Sequence, residues 1–169
     1  MLGANALKRR GVRLHAIVDK PNRADLKGNA MLTNLEIGEE EARIAVDLIV
    51  GELKRRGKVA VIAVADRHGE LIALWRMNGA GLACMTIATN KAFTAAREKK
   101  PSGDVGRSSR DGGWDIAYLG DRRYVGWDGG VPVVIGGQVV GAVAVSGLSG
   151  EEDAELAALG VQRIVESAG

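Results

Sequence analysis

At 169 residues, 46% of them hydrophobic and 26% charged, the chain has the composition of one soluble globular domain, long enough to bury a core of its own. A formal charge of +2, from 23 basic and 21 acidic side chains, gives no electrostatic case for nucleic acid or for a membrane surface as partner. The single cysteine, Cys84, excludes an intramolecular disulfide and a thiolate metal cluster, and no apolar run reaches signal-peptide or membrane-span length, so a cytoplasmic protein is expected.

The first stretch, residues 1–31, reads as a basic arm. Lys8, Arg9, Arg10, Arg13, Lys20, Arg23 and Lys27 face only Asp19 and Asp25 within residues 1–30. The alternation Val12, Leu14, Ala16, Val18 within it fits a short strand and carries His15. A helix is predicted over residues 39–56, with Ala42, Ala45, Val46, Ile49 and Leu53 on one face. Acids lie in its first turn, Lys54, Arg55 and Arg56 in its last, and Gly57 stops it. Two strands, 58–65 and 70–75, follow around the turn Asp66-Arg67-His68-Gly69. A second helix is predicted over residues 82–99, ended by Pro101.

Residues 102–128 read as a variable loop, rich in Gly, Arg and Asp. The loop holds Trp114, Tyr118, Tyr124 and Trp127, four of the six aromatic residues in the chain. Loops that carry aromatic and arginine side chains often line binding sites. Beyond it, residues 131–135 and 138–146 read as strands joined by the hairpin turn Gly136-Gly137. The second of these is apolar on both faces, the mark of a strand covered on both sides. Ser149-Gly150-Glu151-Glu152 has the form of a capping box, so a last helix begins there, with Ala154, Ala157, Val161 and Ile164 as its stripe. Helix, hairpin, helix, loop, hairpin, helix is an α+β order with an antiparallel sheet and flanking helices.

Several short motifs recur in a known order. They are Asp66 and Gly69 in a turn, then Arg76 to Ala80; Lys91-Ala92-Phe93-Thr94-Ala95; Gly129-Gly130-Val131-Pro132; Val140-Gly141-Ala142; Ser146-Gly147; and Glu151-Glu152-Asp153. From about Leu32 to the end, apart from residues 102–128, the chain resembles the GlcG/HbpS-like haem-binding family, which includes the C-terminal domain of PduO-type corrinoid adenosyltransferases. Asn78 stands where that family usually has Asp. The resemblance implies a profilin-like fold in a single domain over residues 32–169, a homo-oligomer, and haem as the cofactor.

The chemistry-bearing residues leave two functional readings open. In the first, an oligomeric protein binds a tetrapyrrole or another flat carboxylate. Arg76 and Lys91 hold the acids, Trp114, Tyr118 and Trp127 supply ring surface, and Gly129-Gly130 allows close backbone approach. In the second, a small catabolic enzyme acts on a keto or aromatic carboxylic acid, with Asp115 or Asp128 as general base. Lys91 also has a structural reading, as the partner of an acid at a subunit contact, and Arg76 has one as a buried ion-pair partner. Axial donors for a haem iron are few. His15 and His68 are the only imidazoles, His68 lies in a turn, and Cys84 and Met85 open the second helix. Two histidines make a dedicated metal site unexpected.

Overall fold

The alternation of branched and small residues along two strands decides the architecture. The computed structural model describes residues 34–168; the basic arm and His15 lie outside the described residues. Strand β1 (Val61–Asp66) and strand β4 (Gln138–Ser146) pair antiparallel with Ile62 opposite Val145 and Val64 opposite Val143. These four side chains point to one side of the sheet. Ala63 opposite Ala144 and Ala65 opposite Ala142 point to the other. Strand β2 (Leu71–Arg76) joins the free side of β1, and β3 (Gly130–Ile135) the free side of β4, giving the order β2-β1-β4-β3, antiparallel throughout. The α+β fold expected from the sequence is the one observed.

The branched side is covered by helices α1 (Glu39–Arg55) and α4 (Gly150–Ser167). Ala42, Ala45, Val46, Ile49 and Leu53, the predicted face of α1, are all buried there with Leu156, Ala157 and Ile164 of α4. Close packing of the two helices depends on Gly160. A Cβ at that position would stand 2.8 Å from Ile49 Cδ1 and 3.4 Å from Ala45 Cβ. The small side is covered by α2 (Ala83–Glu98), which lays Ala88, Ala92, Ala95 and Ala96 on Ala63, Ala65, Ala142 and Ala144.

The segment read as a loop contains a helix. Residues Ser102–Gly112 form α3, and Ile116–Leu119 form a 3₁₀ turn capped by Asp115. Pro101 at the N-cap starts α3 cleanly, since the missing N–H would have had no partner there. The intrinsic propensity of SGDVGRSSRDG is poor, and packing overrides it. Ser102, Gly103, Val105 and Gly106 are buried, and Gly106 lies so close to Gly126 that a Cβ on it would fall 2.6 Å from Gly126 Cα. The chain beyond is tied to α2. Val125 N–H donates to Thr94 Oγ1 at 3.0 Å, Tyr124 stands edge-on to the buried Phe93 ring with centroids 5.1 Å apart, and Arg123 lies over that ring at 4.0 Å. Among the described residues no helix is long and apolar enough to cross a membrane.

Candidate functional site

Lys91 lies on the buried face of α2, and an ammonium there needs partners. It finds two. Lys91 Nζ donates to Asp153 Oδ2 at 2.8 Å and to the Val145 carbonyl at 3.0 Å, with both side chains 3% exposed. The other carboxylate oxygen, Asp153 Oδ1, accepts from Leu148 N–H at 3.1 Å. The anion at the start of α4 is therefore the chain's own Asp153, and the backbone donors near Ser146-Gly147 already serve it. Burial pushes the Asp153 carboxyl above its ordinary value, against the opposing pull of Lys91 and the backbone donors.

Gly129-Gly130 passes directly beside this pair. Gly129 has φ +118°, and a Cβ there would stand 2.7 Å from Lys91 Nζ and 2.8 Å from Asp153 Cβ. The close approach read from the double glycine is thus an approach to Lys91. Ser102, buried at the head of α3, donates from Oγ to the Trp127 carbonyl at 2.5 Å and accepts from Gly130 N–H at 3.0 Å, fixing residues 127–130.

Over the ion pair opens a cavity of about 510 Å³, within the range of small-molecule sites. Lys91 and Asp153 are its most buried lining. Cys84 and Ile87 of α2 form one wall, Trp127 and Asp128 another, and Arg110 of α3 reaches it. The Trp127 indole is 62% exposed at this cavity. Arg110 takes part in none of the ion pairs among the described residues, whereas Arg107, one turn earlier, holds Asp128 at 3.0 Å and Asp104 at 2.6 Å. Asp128 is thereby occupied as a hydrogen-bond acceptor, and Asp115 caps the 3₁₀ turn, where it accepts from Ala117 N–H at 2.8 Å.

The residues singled out in the sequence do not all converge. Lys91, Gly129, Gly130 and Trp127 come together. Arg76 does not; it lines a separate cavity of about 290 Å³ with Val50, Lys54, Trp75, Met77 and Asn78, on the α1 side. It is exposed and has no carboxylate partner among the described residues, so the buried structural pair considered for it is not formed. Tyr118 is 82% exposed on the 3₁₀ turn, and Trp114 packs by Gly112; neither lines the large cavity. Sequence reasoning counts Arg110 only as one of four arginines (Arg107, Arg110, Arg122, Arg123) that make residues 102–128 positive, and it missed Asp153. A signal for Asp153 existed, because it shares a helical stripe with Ala157, Gly160 and Ile164, and an acid on an apolar stripe needs a partner.

A family model described as haem-degrading protein HbpS-like matches residues 37–162. The chain belongs to the HbpS-like family. It is 35% identical to protein GlcG of Escherichia coli K12 over 119 residues, spanning 69% of this chain and 85% of GlcG. Among solved structures it resembles ORFY of Klebsiella pneumoniae, with a TM-score of 0.74 at 25% identity over 80% of this chain and 95% of ORFY. It also resembles a double mutant of Streptomyces reticuli HbpS, with a TM-score of 0.72 at 26% identity over 80% of this chain and 92% of HbpS.

The cavity of this HbpS-like chain can be tested for fit to haem by its donor set. Cys84 brings a sulfur of a type that ligates haem iron. Ile87 and Trp127 supply apolar and aromatic surface, and Arg110 a cation suited to a carboxylate. His68 is not part of the lining; it is exposed in the β1–β2 turn, where its backbone N–H donates to Asp66 Oδ1 at 2.7 Å. The residues lining the cavity are of kinds that would fit the group, with the Cys84 thiol rather than an imidazole as the candidate donor.

Proposed function

We propose that this HbpS-like protein is an oligomeric small-ligand-binding protein. Its ligand is haem or another flat carboxylate, taken into the cavity between α2, residues 126–128 and the start of α4. One observation carries the reading: an exposed indole, a guanidinium with no acid partner among the described residues and a thiol meet in a single cavity of ligand size. Trp127 offers the ring face, Arg110 holds a carboxylate, Ile87 excludes water, and Cys84 is the candidate donor to iron. Lys91 is committed to Asp153, so its part is to hold α2 and α4 at the spacing the cavity needs. Bound haem would supply a redox-active iron at this place. Self-association is supported by the two exposed apolar side chains on β2, Leu71 and Trp75.

Titration with hemin tests the site. The Soret band and tryptophan quenching should report saturable binding. Arg110→Ala should weaken it by about 1.5–3 kcal/mol, the worth of a desolvated charge-assisted hydrogen bond. Trp127→Ala should also weaken it, and Cys84→Ser should move the absorption maximum. Arg76→Ala and His68→Ala should leave both readouts unchanged. Wild-type affinity in Arg110→Ala and Trp127→Ala together would refute this cavity as the site.

A further inference from the structure

The sheet has two edges, and they are treated differently. Edge strand β3 carries Pro132, which has no N–H to offer, and a register shift at Val133/Val134. Both features discourage pairing with another strand. Edge strand β2 carries no proline, and Leu71 and Trp75 on it are 45% and 53% exposed. Its one irregularity lies at the start, where the register with β1 skips Ile72, so Ala73 to Arg76 form a regular edge that no other strand among the described residues pairs with.

Helix α1 lies alongside β2 and runs in the same direction. Its earlier part, with Glu39, Arg43 and Asp47, lines a cavity against Ile72, Ala73 and Trp75. Its later part, with Val50 and Lys54, lines the next cavity against Trp75, Arg76 and Met77. The seam therefore has two carboxylates and one guanidinium at its beginning, an apolar middle, and two cations with no acid at its end. Asp47, Lys54 and Arg76 enter no ion pair among the described residues. Asp47 and Lys54 are both exposed and stand seven residues apart, nearly two full turns, so they share a helix face with Val50 between them.

A face that is acidic at one end and basic at the other complements itself under a two-fold rotation. We infer that the α1–β2 seam is the self-association face. Two copies pair their β2 strands antiparallel, bury Trp75 and Leu71, and bring Asp47 of each against Lys54 of the other, with Arg76 close by. The sheets join edge to edge, and the occupant of the seam is a second copy of this chain. This inference rests on the self-association proposed above.

Charge exchange tests it. Asp47→Lys opposes two cations at each contact and Lys54→Glu two anions, so each variant alone should show a dimer dissociation constant raised at least tenfold. Mixed in equal amounts, the two variants restore both contacts, Lys with Glu and Asp with Lys. The mixture should regain the wild-type mass in size-exclusion chromatography with light scattering, and so should the Asp47→Lys/Lys54→Glu double variant. Circular dichroism shows that each variant is folded. A monomeric wild type at micromolar concentration would overturn both self-association and the face. An oligomer whose mass neither single variant changes, or single variants that fail to recover on mixing, would overturn the face alone. Hemin titration of the same variants reads the cavity separately.

Discussion

A lysine and an aspartate, each 3% exposed, are held together by one contact of 2.8 Å and a backbone carbonyl. Removing either partner leaves a buried charge uncompensated, which typically costs about 3–5 kcal/mol. Lys91→Ala and Asp153→Ala should each lower stability to denaturant by that order. The double change Lys91→Met/Asp153→Leu should recover most of the loss, because apolar residues of similar size replace such pairs well. Lys91→Met alone has a further signature. Burial already raises the Asp153 carboxyl, and without the ammonium nothing of comparable strength opposes it. A folded-state value above the unfolded one favours the protonated form. The variant should therefore be most stable on the acid side and lose stability as pH rises through the folded value, a trend that melting temperatures measured against pH will show. Lys91 was visible in the sequence as a cation among alanines. Asp153 was hidden among three consecutive acids at a helix start, where the macrodipole alone explains acids.

Among the elements, α1 and α4 make the tightest demand on a residue. Gly160→Ala would press a methyl group onto Ile49 and Ala45, so a loss of about 1–3 kcal/mol is expected in chemical denaturation. Ser102→Ala would leave the Trp127 carbonyl and the buried Gly130 N–H without their shared hydroxyl, costing about 1–3 kcal/mol and weakening hemin binding as the cavity wall loosens. The sequence made α1, both hairpins and the Ser149 cap legible because each has a local signal: a helical stripe, paired apolar runs, a capping box. Ser149 Oγ does accept from Glu152 N–H, at 3.3 Å. Helix α3 had no such signal. Its only branched apolar residue is Val105, and Gly103 and Gly106 serve close approach to Asp128 and Gly126 rather than flexibility. Of the α4 stripe, Ala157 and Ile164 are buried as read and Val161 is half-buried against the core, whereas Asp153 rather than Ala154 turns inward, to Lys91.

Taken whole, the molecule fastens its branched layer with charges at one corner. Arg56 binds Glu52 at 2.6 Å on its own helix and Glu155 at 2.7 Å on α4, while Lys58 binds Glu152. Hydrogen bonds from Arg55 and Arg56 hold the Glu52 carboxyl down from 4.5 to about 2, and Glu152 and Glu155 are lowered by their own cations. Folded values below the unfolded ones mean that this support is present above the ordinary carboxylate range and is lost as pH falls through it. The melting temperature should drop as pH falls from about 4.5 towards 2, and Arg56→Ala should flatten that slope.

The two sides of the sheet also differ in what each helix has to lose. Valine and isoleucine bury more apolar area than alanine, so α1 and α4 are held by more hydrophobic free energy per turn than α2. Helix α2 should therefore open first. Its amides, from Ala83 through Ala92, should exchange with deuterium well before those of α1 and α4, and Phe93 should mark where protection returns. Because Cys84, Ile87 and Lys91 stand on that early-opening stretch, a ligand seated against them gains little by tightening the rest of the protein. Its occupancy should be written almost entirely in the slowed exchange of one helix.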